Sequence, residues 1–230
     1  MEKLQLREKL IFEALEKIEQ FNFVIIGGYA VNTYAIPRFS VDCDIVLEDY
    51  GETRRIEEEL TNNGYKKQIT SKLELSYHGD FTRYEKNIMK DIDASFDILI
   101  KSVFDRDTKV KFDAKWIFEN SNIIFLKGKT IIEKIKARVI NIDALIVMKF
   151  ISCRESDIRD VFMLIPKCIN SKWIKEEINK RYDFNDRFKK IKNKITSKEF
   201  KNNLQGVYGK IDETTFERYK KALLDMNNFK

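Results

Sequence analysis

Apolar positions in the first 140 residues switch repeatedly between the helical spacing of three to four and the two-residue alternation of strands. Pro37 breaks one helical run, and Asn62-Asn63-Gly64 is a stop signal for another. This mixture of periods predicts a sheet flanked by helices. The predicted elements are, in order, a helix over 3–20, a strand over 23–26, a helix over 27–36, a strand over 43–47, a helix over 52–62, strands over 65–69, 73–77 and 94–100, a helix over 113–120 and a strand over 123–125.

From Ile142 onward the apolar spacing is helical almost throughout, and the later breaks that the sequence predicts are Pro166 and the segment 206–209. The change of pattern near residue 140 predicts two domains, a mixed one over 1–140 and a helical one over 141–230. The expected fold class is therefore α+β, with a mixed sheet flanked by helices followed by a C-terminal helical domain.

Composition narrows the class of protein. The 230 residues are 43% hydrophobic, enough to bury a core, yet no run approaches the roughly 20 apolar residues of a membrane span. The charged first residues do not resemble a secretion signal. Cys43, Cys153 and Cys168 are widely spaced without a paired-cysteine motif, which predicts reduced thiols in a cytoplasmic protein. The single histidine, His78, excludes sites that need two.

Positive charge is concentrated at one end of the chain. Residues 171–230 hold 16 Lys and Arg against 9 Asp and Glu, a net charge of +7, whereas the first 170 residues carry −1. A basic end suggests contact with a polyanion such as RNA. The aromatic residues Trp173, Tyr182, Phe184 and Phe188 lie among these cations, as in many RNA-binding surfaces. A solvated lysine-rich helical surface explains the same composition equally well.

A pair of glycines and two closely spaced aspartates are the residues most typical of a reactive site. Gly27 and Gly28 join the predicted strand to a helix, and the N–H groups and dipole at such a turn favour a phosphate. Asp42 and Asp44 enter the next strand two positions apart, so their side chains share one face. Two adjacent carboxylates repel each other, and a divalent metal between them removes the repulsion.

Asp97 is the best candidate for a third acid. It interrupts an apolar strand, where a carboxylate is costly to bury unless it is paired or binds a metal. Beside Asp42 and Asp44 it would complete an oxygen-only pocket that suits Mg²⁺ or Mn²⁺. Asp91 and Asp93 share the strand face of Asp97, so each is an alternative third acid.

The glycine pair, the Arg-x-Ser-x-Asp-x-Asp segment over 38–44 and the later Asp97 together resemble the minimal nucleotidyltransferases of the DNA polymerase β superfamily, in the AbiEii/AbiGii-toxin-like branch. Tyr29 stands near a position where many members carry Ser or Thr. Arg38 also has a plainer interpretation, a surface arginine after a proline turn. The site that the resemblance implies consists of the catalytic metal ligands Asp42, Asp44 and Asp97 and the nucleotide-binding residues Gly27, Gly28, Arg38 and Ser40.

The resemblance continues to about residue 165. Lys149 and the segment 154–160 resemble the branch's later lysine and Arg-x-Lys-Asp-x-x-Asp pattern, with Ser156 in place of its lysine. This adds Lys149, Arg154, Asp157 and Asp160 to the implied nucleotide-binding residues. On one continuous helix Lys149, Cys153, Ser156 and Asp160 share a stripe, whereas an N-cap at Ser156 would break that stripe. An ordinary amphipathic helix with an internally paired charged face is the alternative.

The resemblance implies a metal-dependent transfer of a nucleotidyl group from an NTP to an acceptor hydroxyl, with release of pyrophosphate. In toxin members of the branch the acceptor can be RNA, including tRNA ends, and an antitoxin protein often accompanies the toxin. The main alternative is a non-catalytic nucleotide- or partner-binding module on the same fold, and a third possibility is nucleotidylation of protein. Residues 166–230 have no counterpart in the resemblance.

Overall fold

A computed structural model describes residues 3–68, 80–90, 92–131 and 135–228. The predicted strand over 73–77, His78 and the alternative acid Asp91 lie outside the described residues. The chain divides into two compact units. The first comprises residues 1–33, 37–106 and 111–140, and the second comprises 34–36, 107–110 and 141–230.

The first unit is built on a seven-stranded mixed sheet. The strands, in chain order, are β1 (Val24–Ile25), β2 (Asp42–Leu47), β3 (Lys66–Gln68), β4 (Phe81–Met89), β5 (Ile92–Ile100), β6 (Ser102–Phe104), β7 (Lys111–Asp113), β8 (Ser121–Phe125) and β9 (Lys136–Ile140). Their order across the sheet is β3-β4-β5-β2-β1-β9-β8, while β6 and β7 form a separate ribbon. The pairs β2–β5 and β1–β9 are parallel, and the other neighbours are antiparallel.

The helices of this unit are α1 (Lys3–Ile18), α2 (Gly27–Tyr34), α3 (Thr53–Asn62) and α4 (Ala114–Glu119) among the described residues. The apolar stripe of α1 is buried, and Phe12 on it packs edge-on against Tyr29 at 5.9 Å between ring centroids. Glu8 on the same helix is also buried. Its carboxylate accepts the backbone N–H groups of Thr130 at 2.7 Å and Ile131 at 3.3 Å, which compensates its burial.

The second unit is helical. Its helices within 135–228 are α5 (Ile142–Ser152), α6 (Glu155–Leu164), α7 (Ser171–Asn179), α8 (Phe184–Ile195), α9 (Phe200–Tyr208) and α10 (Glu213–Asp225), with short 3₁₀ turns at Ile165–Lys167 and Met226–Asn228. Stacked rings of Phe150 and Phe184, 5.1 Å apart, and of Phe184 and Phe188, 5.6 Å apart, lie in its core. No helix in the described part of the chain is long and apolar enough to cross a membrane.

The predicted α+β fold with a mixed sheet is confirmed, and several details differ from the sequence pattern. Strands β4 and β9 of the sheet were not predicted, nor were β6 and β7 of the separate ribbon. The break predicted over 206–209 falls at its last residue: Gly206 lies inside α9, and the helix ends before Gly209, which has a φ of 85°. The turn that the sequence allowed near Ser156 is present, but the N-cap of α6 is Arg154, two residues earlier.

Candidate active site

Three carboxylates converge where β2 and β5 run side by side. In this parallel pair Asp44 lies opposite Asp97, and Asp42 lies opposite Ser95. Residues paired across neighbouring strands point to the same face, and residues two apart on β2 share that face. Carboxylate oxygens of Asp42, Asp44 and Asp97 therefore come within 4.8 Å of one another. Asp97 is buried, with 8% of its surface exposed, while the other two are half-buried.

The alternative third acid Asp93 has a different environment. It lies opposite Asn87 on β4, and its carboxylate accepts a hydrogen bond from Asn87 Nδ2 at 3.0 Å. Asp93 is not a member of the acidic cluster. Among the described acids of β5, only Asp97 lies beside Asp42 and Asp44.

The glycine pair brings the start of α2 against these side chains. Gly27 has a φ of +65°, in the region that favours glycine, and a Cβ there would lie 1.9 Å from Asp44 Oδ2. A Cβ at Gly28 would lie 2.1 Å from the Ser40 hydroxyl oxygen and 3.5 Å from an Arg38 guanidinium nitrogen. Both glycines are therefore required by close approach. The turn therefore lies directly against Asp44 on one side and against Ser40 and Arg38 on the other.

Asn32 positions the loop that carries Arg38. It is fully buried in α2, its Nδ2 donates to the Arg38 carbonyl at 2.8 Å, and its Oδ1 accepts the Arg38 N–H at 2.9 Å. Arg38 is held further by a bond from its guanidinium to the Phe39 carbonyl at 3.2 Å. Asn32 was not among the site residues predicted from the sequence. The one available signal was a polar residue within an otherwise apolar helical stretch.

Tyr29 does not supply a hydroxyl to the glycine turn. Its side chain is fully buried in the core, and its hydroxyl has no hydrogen-bond partner among the described residues. Burial raises the pKa of this phenol well above its ordinary value. Where the resemblance leads us to expect Ser or Thr, the chain instead has a core side chain.

Arg83 on β4 is the prominent member of the site that the sequence analysis missed. It lies opposite Asp97 in the antiparallel register. Its Nε donates to Asp97 Oδ1 at 2.6 Å, and one terminal nitrogen donates to Asp97 Oδ2 at 2.6 Å. The same nitrogen lies 3.4 Å from Asp42 Oδ2. This bidentate pair is the strongest charge-assisted contact of the cluster.

The electrostatics of the cluster follow from burial and from Arg83. Burial raises the pKa of Asp97, and the hydrogen bonds and charge of Arg83 act in the opposite direction. The hydrogen bond to Asp97 raises the pKa of the Arg83 guanidinium, so it stays charged. Between the two β2 acids, Cys43 is fully buried, and burial followed by the charge of Asp44 raises the pKa of its thiol.

The donor set suits a hard divalent cation. Carboxylate oxygens are the ligands that Mg²⁺ and Mn²⁺ prefer, and three of them lie close enough together to share one ion. The cluster also holds more negative charge than Arg83 alone neutralises. Asp42, Asp44 and Asp97 are therefore the residues that could hold such a metal.

The later predicted residues form a buried charge network within the second unit. Lys149 Nζ lies 2.9 Å from Asp157 Oδ1 and 2.7 Å from Asp160 Oδ2, and all three residues are buried. The Tyr208 hydroxyl donates to Asp160 Oδ1 at 2.5 Å. Internal pairing of the charged face, one of the two alternatives from the sequence, is what the geometry supports.

Of the two arrangements that the sequence left open, one continuous helix from Lys149 to Asp160 or a turn between them, the structure has the turn. Cys153 adopts a φ of 53° and ends α5, and α6 begins at Glu155 with Arg154 as its exposed N-cap residue. Asp157 accepts the Arg154 backbone N–H at 3.3 Å, which satisfies an end of the helix. A nucleotide contact by Lys149, Arg154, Asp157 or Asp160 stays a prediction.

No protein-family model and no curated protein match this chain. Solved structures do match its fold. A Helicobacter pylori protein assigned as a nucleotidyltransferase is 18% identical, with 99% of this chain and 94% of that chain covered and a TM-score of 0.54. JHP933 from the same species is 18% identical, with coverage of 99% and 91% and a TM-score of 0.51.

A third structure with a similar fold is MenT4, a nucleotidyltransferase toxin from Mycobacterium tuberculosis. It is 11% identical, with 98% of this chain and 84% of that chain covered and a TM-score of 0.59. At such identities the likeness shows the fold alone. The chain has a nucleotidyltransferase fold over nearly its whole length, as the resemblance in its sequence predicted.

Proposed function

We propose that the protein is a metal-dependent nucleotidyltransferase, which moves a nucleotidyl group from an NTP to an acceptor hydroxyl and releases pyrophosphate. The observation that carries the proposal is the convergence of Asp42, Asp44 and Asp97 beside the Gly27 turn. The nucleotidyltransferase fold of the chain supports the same reaction. Mg²⁺ or Mn²⁺ is the proposed cofactor because the donors are all carboxylate oxygens.

Each part of the site has a role in this reaction. Asp42, Asp44 and Asp97 would hold the divalent ions, which would neutralise negative charge on the nucleotide phosphates. The Gly27–Gly28 turn lets the triphosphate approach the first N–H groups of α2. Ser40 donates its hydroxyl to a phosphate oxygen, and the Arg38 guanidinium pairs with the same group.

The proposed chemical step is an in-line displacement. The acceptor oxygen forms a bond to the α-phosphorus, and the bond from that phosphorus to the oxygen bridging to the β-phosphate breaks. Pyrophosphate leaves with the electron pair of the broken bond. The acceptor proton passes to a carboxylate, for which we propose Asp97, since burial raises its pKa.

RNA is the proposed acceptor, and a tRNA end is the form that the sequence resemblance favours. Residues 171–230 carry a net charge of +7, and Lys189, Lys190, Lys192 and Lys198 are exposed. The aromatic residues among them are less available, because Phe184 and Phe188 lie in the core. We therefore expect phosphate contacts with strong salt dependence and little base stacking.

A toxin role with an antitoxin partner is the biological form of the proposal. It is supported by the sequence resemblance and by the likeness of fold to a nucleotidyltransferase toxin. Induced expression of the wild-type chain in a bacterial host should arrest growth, and the Asp42→Asn variant should not. Equal growth of the two strains at equal protein levels would contradict a toxin role without affecting the proposed chemistry.

The direct test is incubation with each α-labelled NTP, Mg²⁺ or Mn²⁺, and total RNA. We expect label on RNA from the wild-type protein and at least a hundredfold less from Asp42→Asn, because loss of one metal ligand removes several kcal/mol of transition-state stabilisation. Circular dichroism and thermal unfolding check that the variant stays folded. Asp93→Asn is the matched control, since Asp93 lies on β5 outside the cluster, and it should keep wild-type activity.

The same experiment separates the alternatives. Tight NTP binding without transfer to any acceptor favours the non-catalytic module. Label on protein instead of RNA favours nucleotidylation of protein. Full activity in Asp42→Asn would contradict the assignment of the acidic cluster as the reactive site.

A further inference from the structure

Arg83 makes close side-chain contacts with two members of the acidic cluster, Asp97 and Asp42. Its two hydrogen bonds, both 2.6 Å long, occupy both oxygens of Asp97, and its 3.4 Å contact reaches Asp42 on the neighbouring strand. The side chain is 26% exposed, so the guanidinium is partly removed from water. A half-buried arginine in this position interacts electrostatically with Asp97 and Asp42 more strongly than an exposed one would.

The contact with Arg83 changes the net charge that a divalent cation would meet at the cluster. Three ionised carboxylates whose oxygens lie within 4.8 Å of one another carry a charge of −3, and the single positive charge of Arg83, which also lies 3.9 Å from Glu85, offsets part of it. Each carboxylate oxygen has two lone pairs, so a bidentate arginine leaves acceptor capacity on Asp97. Arg83 can therefore stay in place while the cluster accepts a divalent cation, but its positive charge opposes that cation.

We propose that Arg83 is the internal counter-cation of this site: it positions Asp97 and lowers the affinity of the cluster for free divalent ions. The inference rests on the proposed function in one respect, that the cluster binds a metal. Without Arg83 the three acids would repel one another in the metal-free protein. With it, the metal-free protein is folded and the site is held in its working arrangement.

The test is Mn²⁺ binding to the full chain, measured by calorimetry and by the electron paramagnetic resonance signal of free Mn²⁺. Arg83→Gln should bind Mn²⁺ more tightly, by on the order of tenfold, because a repelling charge close to the ion is removed. Its thermal midpoint without metal should fall, and the rise on adding Mn²⁺ should exceed that of the wild type. Arg83→Lys keeps the charge, so its Mn²⁺ affinity should stay within about twofold of wild type.

Two controls separate this role from simple support of the sheet. Arg54→Gln removes an arginine from an exposed pair with Glu58 and should leave Mn²⁺ binding unchanged. A purely structural Arg83 would make the glutamine variant less stable with and without metal alike, with unchanged or weaker Mn²⁺ binding, and this outcome would overturn the inference. In Arg83→Lys, loss of the bidentate grip should lower kcat while KM for the NTP changes little.

If Arg83→Gln does not fold, the comparison moves to a background in which the buried carboxylate is already neutral. Asp97→Asn with Arg83→Gln should then bind Mn²⁺ more tightly than Asp97→Asn alone, and equal affinities would overturn the inference. Failure of the proposed metal site itself looks different. In that case Asp42→Asn would bind Mn²⁺ as the wild-type protein does.

Discussion

Gly27 and Gly28 meet different steric demands at one turn. Gly27 needs a positive φ as well as space, because Asp44 occupies the place of a Cβ, whereas Gly28 needs only the space beside Ser40. A side chain at position 27 would displace a carboxylate of the acidic cluster. Substitution there should therefore affect both the stability and the chemistry of the site.

Gly27→Ala tests this directly. We expect a loss of about 1–2 kcal/mol of unfolding free energy, because a non-glycine residue at positive φ is strained. Nucleotidyl transfer should fall at least tenfold, about 1.4 kcal/mol of transition-state stabilisation, since Asp44 must move. Urea denaturation and the transfer assay measure the two effects.

Gly206→Ala is the matched control for that change. Gly206 lies inside α9, and a Cβ there would meet no atom within 4 Å. Alanine should stabilise the helix by about 0.5–1 kcal/mol and leave transfer unchanged. Unimpaired transfer by Gly27→Ala would show that the close approach to Asp44 has no role in the reaction.

Residue chemistry determined how much of the cluster could be predicted. Asp42, Asp44 and Asp97 were predicted because an acid within an apolar strand is costly to bury unless it is paired or binds a metal. The two-residue period of a strand also places Asp42 and Asp44 on one face. Arg83 was missed because an arginine gives no such signal when its strand is not recognised. Its role depends on the pairing of β4 with β5, which places Arg83 opposite Asp97 and cannot be read from the local sequence.

At the scale of elements, the strands with clear apolar runs were predicted, whereas two strands of the main sheet, β4 and β9, and the short ribbon of β6 and β7 were not. β4 mixes Thr, Arg, Glu, Lys and Asn with its apolar residues, so its alternation is weak despite its place beside β5. β9 is five residues long and is stabilised by pairing with β1 on one side and β8 on the other. Neither pairing is visible in local sequence.

The junction between α5 and α6 also depends on tertiary contacts. Helical spacing continues through Cys153, yet this residue adopts a φ of 53° and ends α5. The buried network of Lys149, Asp157 and Asp160 joins the two helices across that junction. We infer that these ion pairs, rather than local propensity, fix the angle at which α6 leaves.

Lys149→Met tests the role of the network. Removal of the cation leaves two buried carboxylates without their ammonium partner, so we expect a loss of about 3–5 kcal/mol of unfolding free energy. Urea denaturation measures this effect. Lys172→Met, an exposed position on α7, should change stability by less than about 0.5 kcal/mol.

A different result would favour the nucleotide contact that the sequence resemblance implies. In that case Lys149→Met would weaken NTP binding, measured by calorimetry on folded protein, with little loss of stability. The two outcomes are distinguishable because one changes the urea midpoint and the other changes the dissociation constant.

At the scale of the whole molecule, buried cysteine thiols and tyrosine phenols determine how stability changes at alkaline pH. Burial raises the pKa of the Cys153 thiol to about 11 and that of the Tyr34 phenol to about 12. Burial also raises the pKa of the Cys43 thiol and the Tyr29 phenol. These groups are neutral in the folded chain and ionise more easily in the unfolded chain.

Stability should therefore fall as the pH rises above about 9. Between the ordinary thiol pKa of 9.0 and the folded value of about 11, the unfolded chain binds fewer protons than the folded one, so the unfolding free energy decreases with pH. Urea midpoints at pH 8.5 and 10.5 measure the change. Cys153→Ala should flatten the slope by one titrating group, and an identical slope would contradict the assignment.

The overall architecture could be predicted because a few widely spaced residues resemble the motifs of a known family, and the fold of that family was then expected for this chain. Local pattern alone indicated a sheet with helices but not the strand order. That order follows from which apolar faces must be covered and which strands run parallel, and neither is encoded in a short window.

Because β2 and β5 pair in a fixed parallel register, the site depends on the position of each acid within its strand and not on the number of residues between the strands. Asp44 and Asp97 are partners across two adjacent strands, although 52 residues separate them in sequence. Deleting one residue early in β5 would turn the Asp97 side chain to the opposite face of the sheet. Deleting two would restore the face but shift the carboxylate by roughly 6.6 Å along the strand. Insertions or deletions in the loops outside these strands leave the pairing intact. The acidic cluster can therefore be kept while the length of the chain changes.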